Sequence, residues 1–436
     1  MNFMPSFWRS LALVLAVIAA PASAANAPPA SLRAAAIKVE ITPSDLTNLN
    51  AFGGGSYLAV HDPIFARILL LSSGAETALI VTYDAPEVGD MVPFRQRIER
   101  ETGIKFDHII LAATHDHNAP RIGGLSPGTR AQMPSAESMR YSDTVYDKTL
   151  AAIKAAKAAL RPAQLGYGKG HLDINVNRDQ YTPGKGWGIG YNADGVSDNG
   201  LPVVRIDGTD GKAIAVLFAY GVHSTAAFGI KEVSGDLAGA AERHIETYGR
   251  PGVIAMFMMG PAGEQIPIVS LGRVGDGDSK ARDLAFRAMD AQGLILGATV
   301  VRLADGIKAD QSAPRIAAAN RDTACATKET PSQMATVSTA TSPTVTIKLS
   351  ALLLGDIAFA GVGGEVVTPI FQRFMRQTPL AKSIFVTNIN DRIGYIANDA
   401  AYDTPLFEVN GSPAARGCAE AAIADGLSDM IGQLSR

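Results

Sequence analysis

Along the chain, short apolar runs alternate with amphipathic stretches of helical spacing. Residues 35–40 and 67–71 read as strands, and 77–83 is a further apolar run ending at Asp84. Helical spacing follows over 92–102, then a fully apolar run at 109–113. Residues 141–159 are alanine-rich and amphipathic, predicting a helix, while 165–177 alternates and predicts strands. Runs at 202–207 and 213–219 flank 208–212 as the arms of a hairpin, 237–248 is helical, and 253–259 is another buried-strand pattern. A long helical stretch begins over 278–292, strands are expected at 344–354 and 357–362, a helix at 366–377 and a last strand at 383–388. This pattern predicts an α/β protein with a mixed β-sheet core flanked by helices. Its site is expected at the C-terminal ends of strands. Segments 121–138 and 180–200 are rich in glycine and read as long loops, which inside a compact domain are more often functional than idle. Tyr181, Trp187 and Tyr191 in the second could line a pocket or simply pack.

The opening of the chain follows a different rule. Arg9 is its only early charge, 11–20 is an unbroken apolar run, and Pro21-Ala-Ser-Ala24 supplies an Ala-x-Ala cleavage pattern. This is the pattern of a signal peptide spanning 1–24, cleaved before Ala25; it predicts a secreted or periplasmic protein, and the remaining chain is long enough for one large domain or two ordinary ones. The apolar run is too short for a membrane span, and no later segment supplies about 20 uninterrupted apolar residues. A formal net charge of −3, without a basic run, gives no indication of nucleic acid or anionic membrane surface as partner. In an oxidising compartment the two cysteines, Cys325 and Cys418, are candidates to pair.

The candidate chemistry sits at the ends of apolar runs. Ile109-Ile-Leu-Ala-Ala-Thr-His115-Asp-His117 ends a predicted strand in two of the chain's 7 histidines. In extended backbone, residues i and i+2 share a face. The two imidazoles then suggest a metal-ligand pair, one ligand with one proton-transfer group, or two polar strand-end residues. His223 stands just beyond the run 215–222, and Glu365 follows a strand and Gly363-Gly364 at the start of the next predicted helix. Tyr395 lies past the last strand, and Arg178 sits among the amides of Asn175 and Asn177. Each has a purely structural alternative: a core hydrogen bond for His223, a helix-dipole charge for Glu365, ordinary packing for Tyr395, and an ion pair for Arg178.

Together these blocks resemble the neutral/alkaline ceramidases, zinc-dependent amidases that hydrolyse the N-acyl bond of ceramide. Val60-His-Asp-Pro-Ile-Phe-Ala-Arg67 is similar to the family's early strand motif, and Ala113-Thr-His-Asp-His-Asn-Ala-Pro120 to its Thr-His-Thr-His-Ser-Gly-Pro. Asn175-Val-Asn-Arg178 resembles Asn-Ile-Asn-Arg, Phe218-Ala-Tyr-Gly-Val-His-Ser-Thr225 the Ala-Val-His-Pro-Thr-Ser strand, and Ser234-Gly-Asp236 the following Ser-Gly-Asp. Gly363-Gly-Glu365 resembles Pro-Gly-Glu, and Gly394-Tyr395 the late Ala-Gly-Tyr. The order of the blocks is more specific than any one of them.

The resemblance implies zinc held by His115, His223, Glu365 and Tyr395. It further implies that His117 faces the same site without binding metal, and that Arg178 hydrogen-bonds a substrate carbonyl or tetrahedral oxyanion. Asp116 replaces the family's threonine between the histidines, and Ile266 stands where the block Gly-Asp-Val-Ser-Pro-Asn carries serine. The long ceramidases have a further C-terminal β-domain, before which this chain is expected to stop. The resemblance implies 25–436 as a single ceramidase-like catalytic domain, and as function a secreted zinc hydrolase acting on an amphipathic or apolar N-acyl amide. A zinc esterase or lactonase with the same site, and an exported non-catalytic metal- or ligand-binding protein, are the alternatives.

Overall fold

The computed structural model describes residue 1 and residues 31–52, 54–124, 134–272, 274, 277–328 and 342–436. The signal segment, apart from Met1, and the middle of segment 121–138 lie outside these residues.

Eight strands form the larger sheet. Their spatial order is Ile254–Met259, Ala213–Tyr220, Gly200–Gly208, Arg161–His171, Arg33–Glu40, Phe65–Ser73, Glu76–Tyr83 and Ile109–Ala113. The outermost pair at each side is parallel, and the inner pairs are antiparallel. A second sheet, ordered Ile316–Ala326, Thr344–Leu354, Ile357–Val362 and Lys382–Val386, packs on one face of the first. The period of two sorts the core: Ile68 and Leu70 face helices, whereas Leu69 and Leu71 face the second sheet. Each such aliphatic side chain contributes about 1.5–3 kcal/mol by leaving water.

Helices Val92–Thr102 and Ala136–Ala158 cover the outer face of the large sheet at one end. Asp236–Tyr248 and Ser279–Gly306 cover it at the other. Thr368–Gln377 and Ala419–Leu434 back the smaller sheet. The result is a four-layer stack of helix, sheet, sheet and helix, in agreement with the α/β expectation. Ser279–Gly306 has the length and apolarity a bilayer span needs. It also packs closely on its neighbour: a Cβ at Gly293 would stand 2.4 Å from the Cβ of Ala240, and one at Gly297 2.8 Å from the Ala241 carbonyl oxygen.

One segment laces the two outer strands of the large sheet together. The Thr387 N–H donates to Met259 O at 2.9 Å, on one outer strand. The Ala113 N–H donates to Asn388 O at 3.1 Å and the Asn390 N–H to Leu111 O at 2.8 Å, on the other. Asn388 and Asn390 adopt φ of 52° and 58° to do so, a region that asparagine enters more readily than most residues.

Several elements differ from the sequence reading. The glycine-rich stretch within 180–200 is a hairpin of Asn175–Thr182 and Gly186–Asn192, not a loop. There, glycine alternates with Trp187, Ile189 and Tyr191, a strand period hidden by loop-like composition. These side chains and Tyr181 are 41–58% exposed, so they line no closed pocket. The helix predicted over 141–159 starts earlier, at Ala136, whereas 165–177 does belong to two strands and the helix begun at 278 does run on, to Gly306. The strand Ile316–Ala326 escaped notice because its polar centre, Asn-Arg-Asp-Thr, masks the pattern.

Cys325 and Cys418 form a disulfide, with 93 residues of separation, between the outer strand of the small sheet and the start of Ala419–Leu434. Denatured, non-reduced protein should therefore label no thiol. Cys325→Ser should lose about 4–5 kcal/mol of stability, on the chain-entropy treatment of so long a loop. Urea unfolding measures this, and a loss under about 1 kcal/mol would show that the crosslink constrains little.

Candidate metal centre

Beyond Ala113 the chain keeps its hold on the sheet while it turns. Thr114 N–H donates to Tyr83 O at 2.9 Å, Asp116 N–H to Ala85 O at 3.1 Å and His117 N–H to Ser224 O at 3.3 Å. His115 has φ of 59°, so the backbone is not extended there as the i, i+2 argument required. This left-handed residue costs roughly 1–3 kcal/mol, which its surroundings must offset. The two rings nonetheless meet, with Nε2 atoms 3.2 Å apart. Asp116 points away into the interior. Its Oδ1 accepts the Asn118 N–H at 2.8 Å, and burial, then Asp236, pushes its carboxyl well above the ordinary range.

His223 follows the strand Ala213–Tyr220, and its N–H donates to Gln265 O at 3.1 Å. Glu365 is not at a helix start. It belongs to a short strand, Glu365–Val366, paired in parallel with Tyr395–Ile396, so Glu365 and Tyr395 are register partners. The helix begins only at Thr368. Gly411 admits the Tyr395 ring: a Cβ there would stand 2.5 Å from its Cδ2.

The protons on these groups follow from their partners. His115 Nδ1 lies 2.6 Å from Pro86 O and His223 Nδ1 2.8 Å from Gln265 O. A carbonyl only accepts, so both Nδ1 atoms carry the hydrogen and each neutral ring turns a bare Nε2 inward. Burial, then Arg178 and His115, pushes the His223 imidazole down to about 3. The two Nε2 atoms lie 3.2 and 3.5 Å from Glu365 Oε2. Oε2 is buried and receives no hydrogen bond among the described residues. Two lone pairs and a carboxylate oxygen thus face one another with no proton between them. A divalent cation relieves that arrangement, and imidazole nitrogen with carboxylate oxygen is an ordinary zinc donor set. Ligating histidines characteristically donate their other ring N–H to a carbonyl, as these two do.

His117 differs. Its nitrogen groups with those of His115 and His223 within 4.8 Å, but its Nδ1 is buried without a partner among the described residues. Its ring stacks on Phe52 at 3.9 Å, with Phe228 edge-on at 5.4 Å. Burial, then His115 and His223, pushes its imidazole well below the ordinary value.

Arg178 is buried rather than at the surface. Its Nε donates to Glu408 Oε1 at 2.8 Å, and its Nη2 donates to that oxygen at 2.5 Å and to Gly263 O at 2.6 Å. Nη1 lies 3.4 Å from His223 Nε2. The guanidinium carbon sits 5.4 Å from the Tyr395 ring centre and 4.8 Å from that of Phe407. Burial, then Glu365, raises the Tyr395 phenol. Ile266 is half-buried in the strand Gln265–Pro267, opposite Val176. Sequence reasoning missed Glu408, Phe52 and Phe228. No pattern marked Glu408, and only the run Gly53-Gly54-Gly55 beside Phe52 hinted at a functional turn.

The fold is that of the ceramidases. The chain superposes on the neutral ceramidase from Pseudomonas aeruginosa with a TM-score of 0.72 over 93% of its own length and 75% of that chain, at 16% identity. It superposes equally, with a TM-score of 0.72 over 92% of its length and 75% of that chain, on a ceramidase complexed with C2, again at 16% identity. No family model and no curated protein matches the chain.

Beside the site, both Glu264 oxygens accept the Thr368 N–H, at 2.9 and 3.1 Å, and burial pushes the carboxyl up to about 7 from an ordinary 4.5. The folded state then holds this proton more tightly than the unfolded one. The contribution is fully present below about pH 4.5 and is lost as pH rises through about 7. The stability advantage of wild type over Glu264→Gln should therefore shrink across that window in urea melts, and a constant difference would contradict it.

Proposed function

We propose that this chain is an exported, zinc-dependent hydrolase that cleaves the N-acyl amide bond of ceramide or a related N-acyl lipid. The observation that carries this reading is the convergence of His115 Nε2, His223 Nε2 and Glu365 Oε2, without an intervening proton, in a fold shared with neutral ceramidase. In this reading His115, His223, Glu365 and Tyr395 hold the metal. Zinc at such a site polarises a carbonyl and acidifies water toward neutrality.

The chain's own groups supply the rest. Arg178 offers Nη1 to the carbonyl oxygen as negative charge grows there, a donor already oriented and shielded from water. His117 is neutral near pH 7, since its imidazole lies well below the ordinary value. It takes the proton of the attacking water and delivers it to the leaving nitrogen. Phe52 and Phe228 give the His117 side of the site an apolar wall, suited to an acyl chain. The signal-like opening and the disulfide support export.

Purified protein should carry about one zinc per chain, and His223→Ala should lose it. His117→Ala should keep most of its zinc and lose roughly 10²-fold in turnover, whereas His115→Ala should lose metal and turnover together. Metal content and rate are read on the same samples, with matched N-acyl and ester substrates. Equal zinc loss in the His115 and His117 variants would make both histidines ligands. Metal-free wild type, or turnover of esters alone, would overturn the proposed zinc amidase.

A further inference from the structure

Arg178 reaches the site from the strand Asn175–Thr182, and what holds its side chain comes from far away in the chain. Glu408 lies 230 residues on, in the short helix Phe407–Gly411, and is 1% exposed. Its Oε1 receives both Nε and Nη2 of the guanidinium, and the carbonyl of Gly263 receives Nη2 again. The Tyr395 and Phe407 ring centres lie 5.4 and 4.8 Å from the guanidinium carbon. Two of the three guanidinium nitrogens are thereby committed. The third, Nη1, faces His223 Nε2 at 3.4 Å, on the side where the candidate ligands converge.

A guanidinium is a rigid planar fork, so fixing two of its nitrogens fixes the direction of the third. An arginine on a flexible stem otherwise has several rotamers and, buried here, an uncompensated charge. The Glu408 carboxylate answers both problems. Burial, then the Glu408 charge, pushes the neighbouring Asp179 carboxyl up to about 8.

We infer that Glu408 is a positioning residue, which acts through Arg178 by aiming Nη1 at the oxygen of a carbonyl or carboxylate bound between Arg178 and the His115–His223–Glu365 cluster. This rests on the reading of Arg178 given above. It adds a determinant outside the histidine–carboxylate cluster and predicts that the two residues behave as one unit.

Residues that act as a unit give non-additive losses. The test is a double-mutant cycle of Arg178→Ala and Glu408→Gln with two readouts. One is turnover of an N-acyl amide, and the other is calorimetric binding of decanoate, a carboxylate of the class that acyl hydrolysis releases. Zinc content and unfolding midpoint are recorded for every variant. Glu408→Gln should keep its zinc, lose about 10–100-fold in kcat with KM changed less than about 3-fold, and bind decanoate about 10-fold more weakly. Arg178→Ala should be at least as impaired, and the double variant no worse than Arg178→Ala.

Additive losses would overturn the inference, as would wild-type rate and binding in Glu408→Gln beside an impaired Arg178→Ala. An unimpaired Arg178→Ala, or wild type that binds no decanoate, would instead remove the reading of Arg178 on which the inference stands. Should Glu408→Gln fail to fold, Glu408→Asp keeps the charge but shortens its reach. It should show the same split between kcat and KM, and wild-type kinetics in that variant would count against positioning.

Discussion

The centre of this molecule is held by an electrostatic constraint: three acceptor atoms are turned toward one another in a buried place. The Pro86 and Gln265 carbonyls take the Nδ1 hydrogens of His115 and His223, leaving each Nε2 bare toward the orphaned Glu365 Oε2. Burying like-signed acceptors together is costly unless a cation joins them. The surroundings spend stability to keep the arrangement: His115 sits at φ of 59° and Asn388, whose carboxamide lies 3.1 Å from His115 Nδ1, at 52°. Backbone strain gathered at one point is characteristic of a functional site.

The architecture explains how distant segments reach that point. His115 follows an outer strand of the large sheet, whereas His223 follows a strand next to the opposite edge. In a flat sheet they would be far apart. The Thr387–Asn390 segment ties both outer strands to the smaller sheet, and a bridge between Asp116 and Ser224 joins the two histidine turns. The same connection sends the chain on to Tyr395, which pairs with Glu365. The lacing that closes the layers therefore also assembles the candidate centre.

Much of this was legible in the sequence, for reasons that can be named. The buried strands announce themselves as unbroken apolar runs, as in Ile109–Ala113. The histidines, Glu365, Tyr395 and Arg178 stand at ends of such runs, where side chains leave the sheet. What stayed hidden depends on tertiary contact. The carbonyls of Pro86 and Gln265 carry no side-chain signature, yet they decide the protonation of the site. Glu408 lies in a five-residue helix with no amphipathic period to read. The left-handed turn at His115 was also invisible, because histidine does not mark that conformation as glycine does. The hairpin Asn175–Thr182 with Gly186–Asn192 was mistaken for a loop because glycine content outweighed its period of two.

The most direct test of the central claim is crystallographic: anomalous diffraction at the zinc edge from crystals equilibrated with zinc. The account predicts one strong peak at about 2.0–2.2 Å from His115 Nε2, His223 Nε2 and a Glu365 carboxylate oxygen, the ordinary zinc distances for such ligands, with the Tyr395 hydroxyl oxygen completing the set. His117 should stand outside bonding distance. No peak among these atoms at saturating zinc, or a metal bound elsewhere while this cluster keeps its geometry unaided, would contradict it.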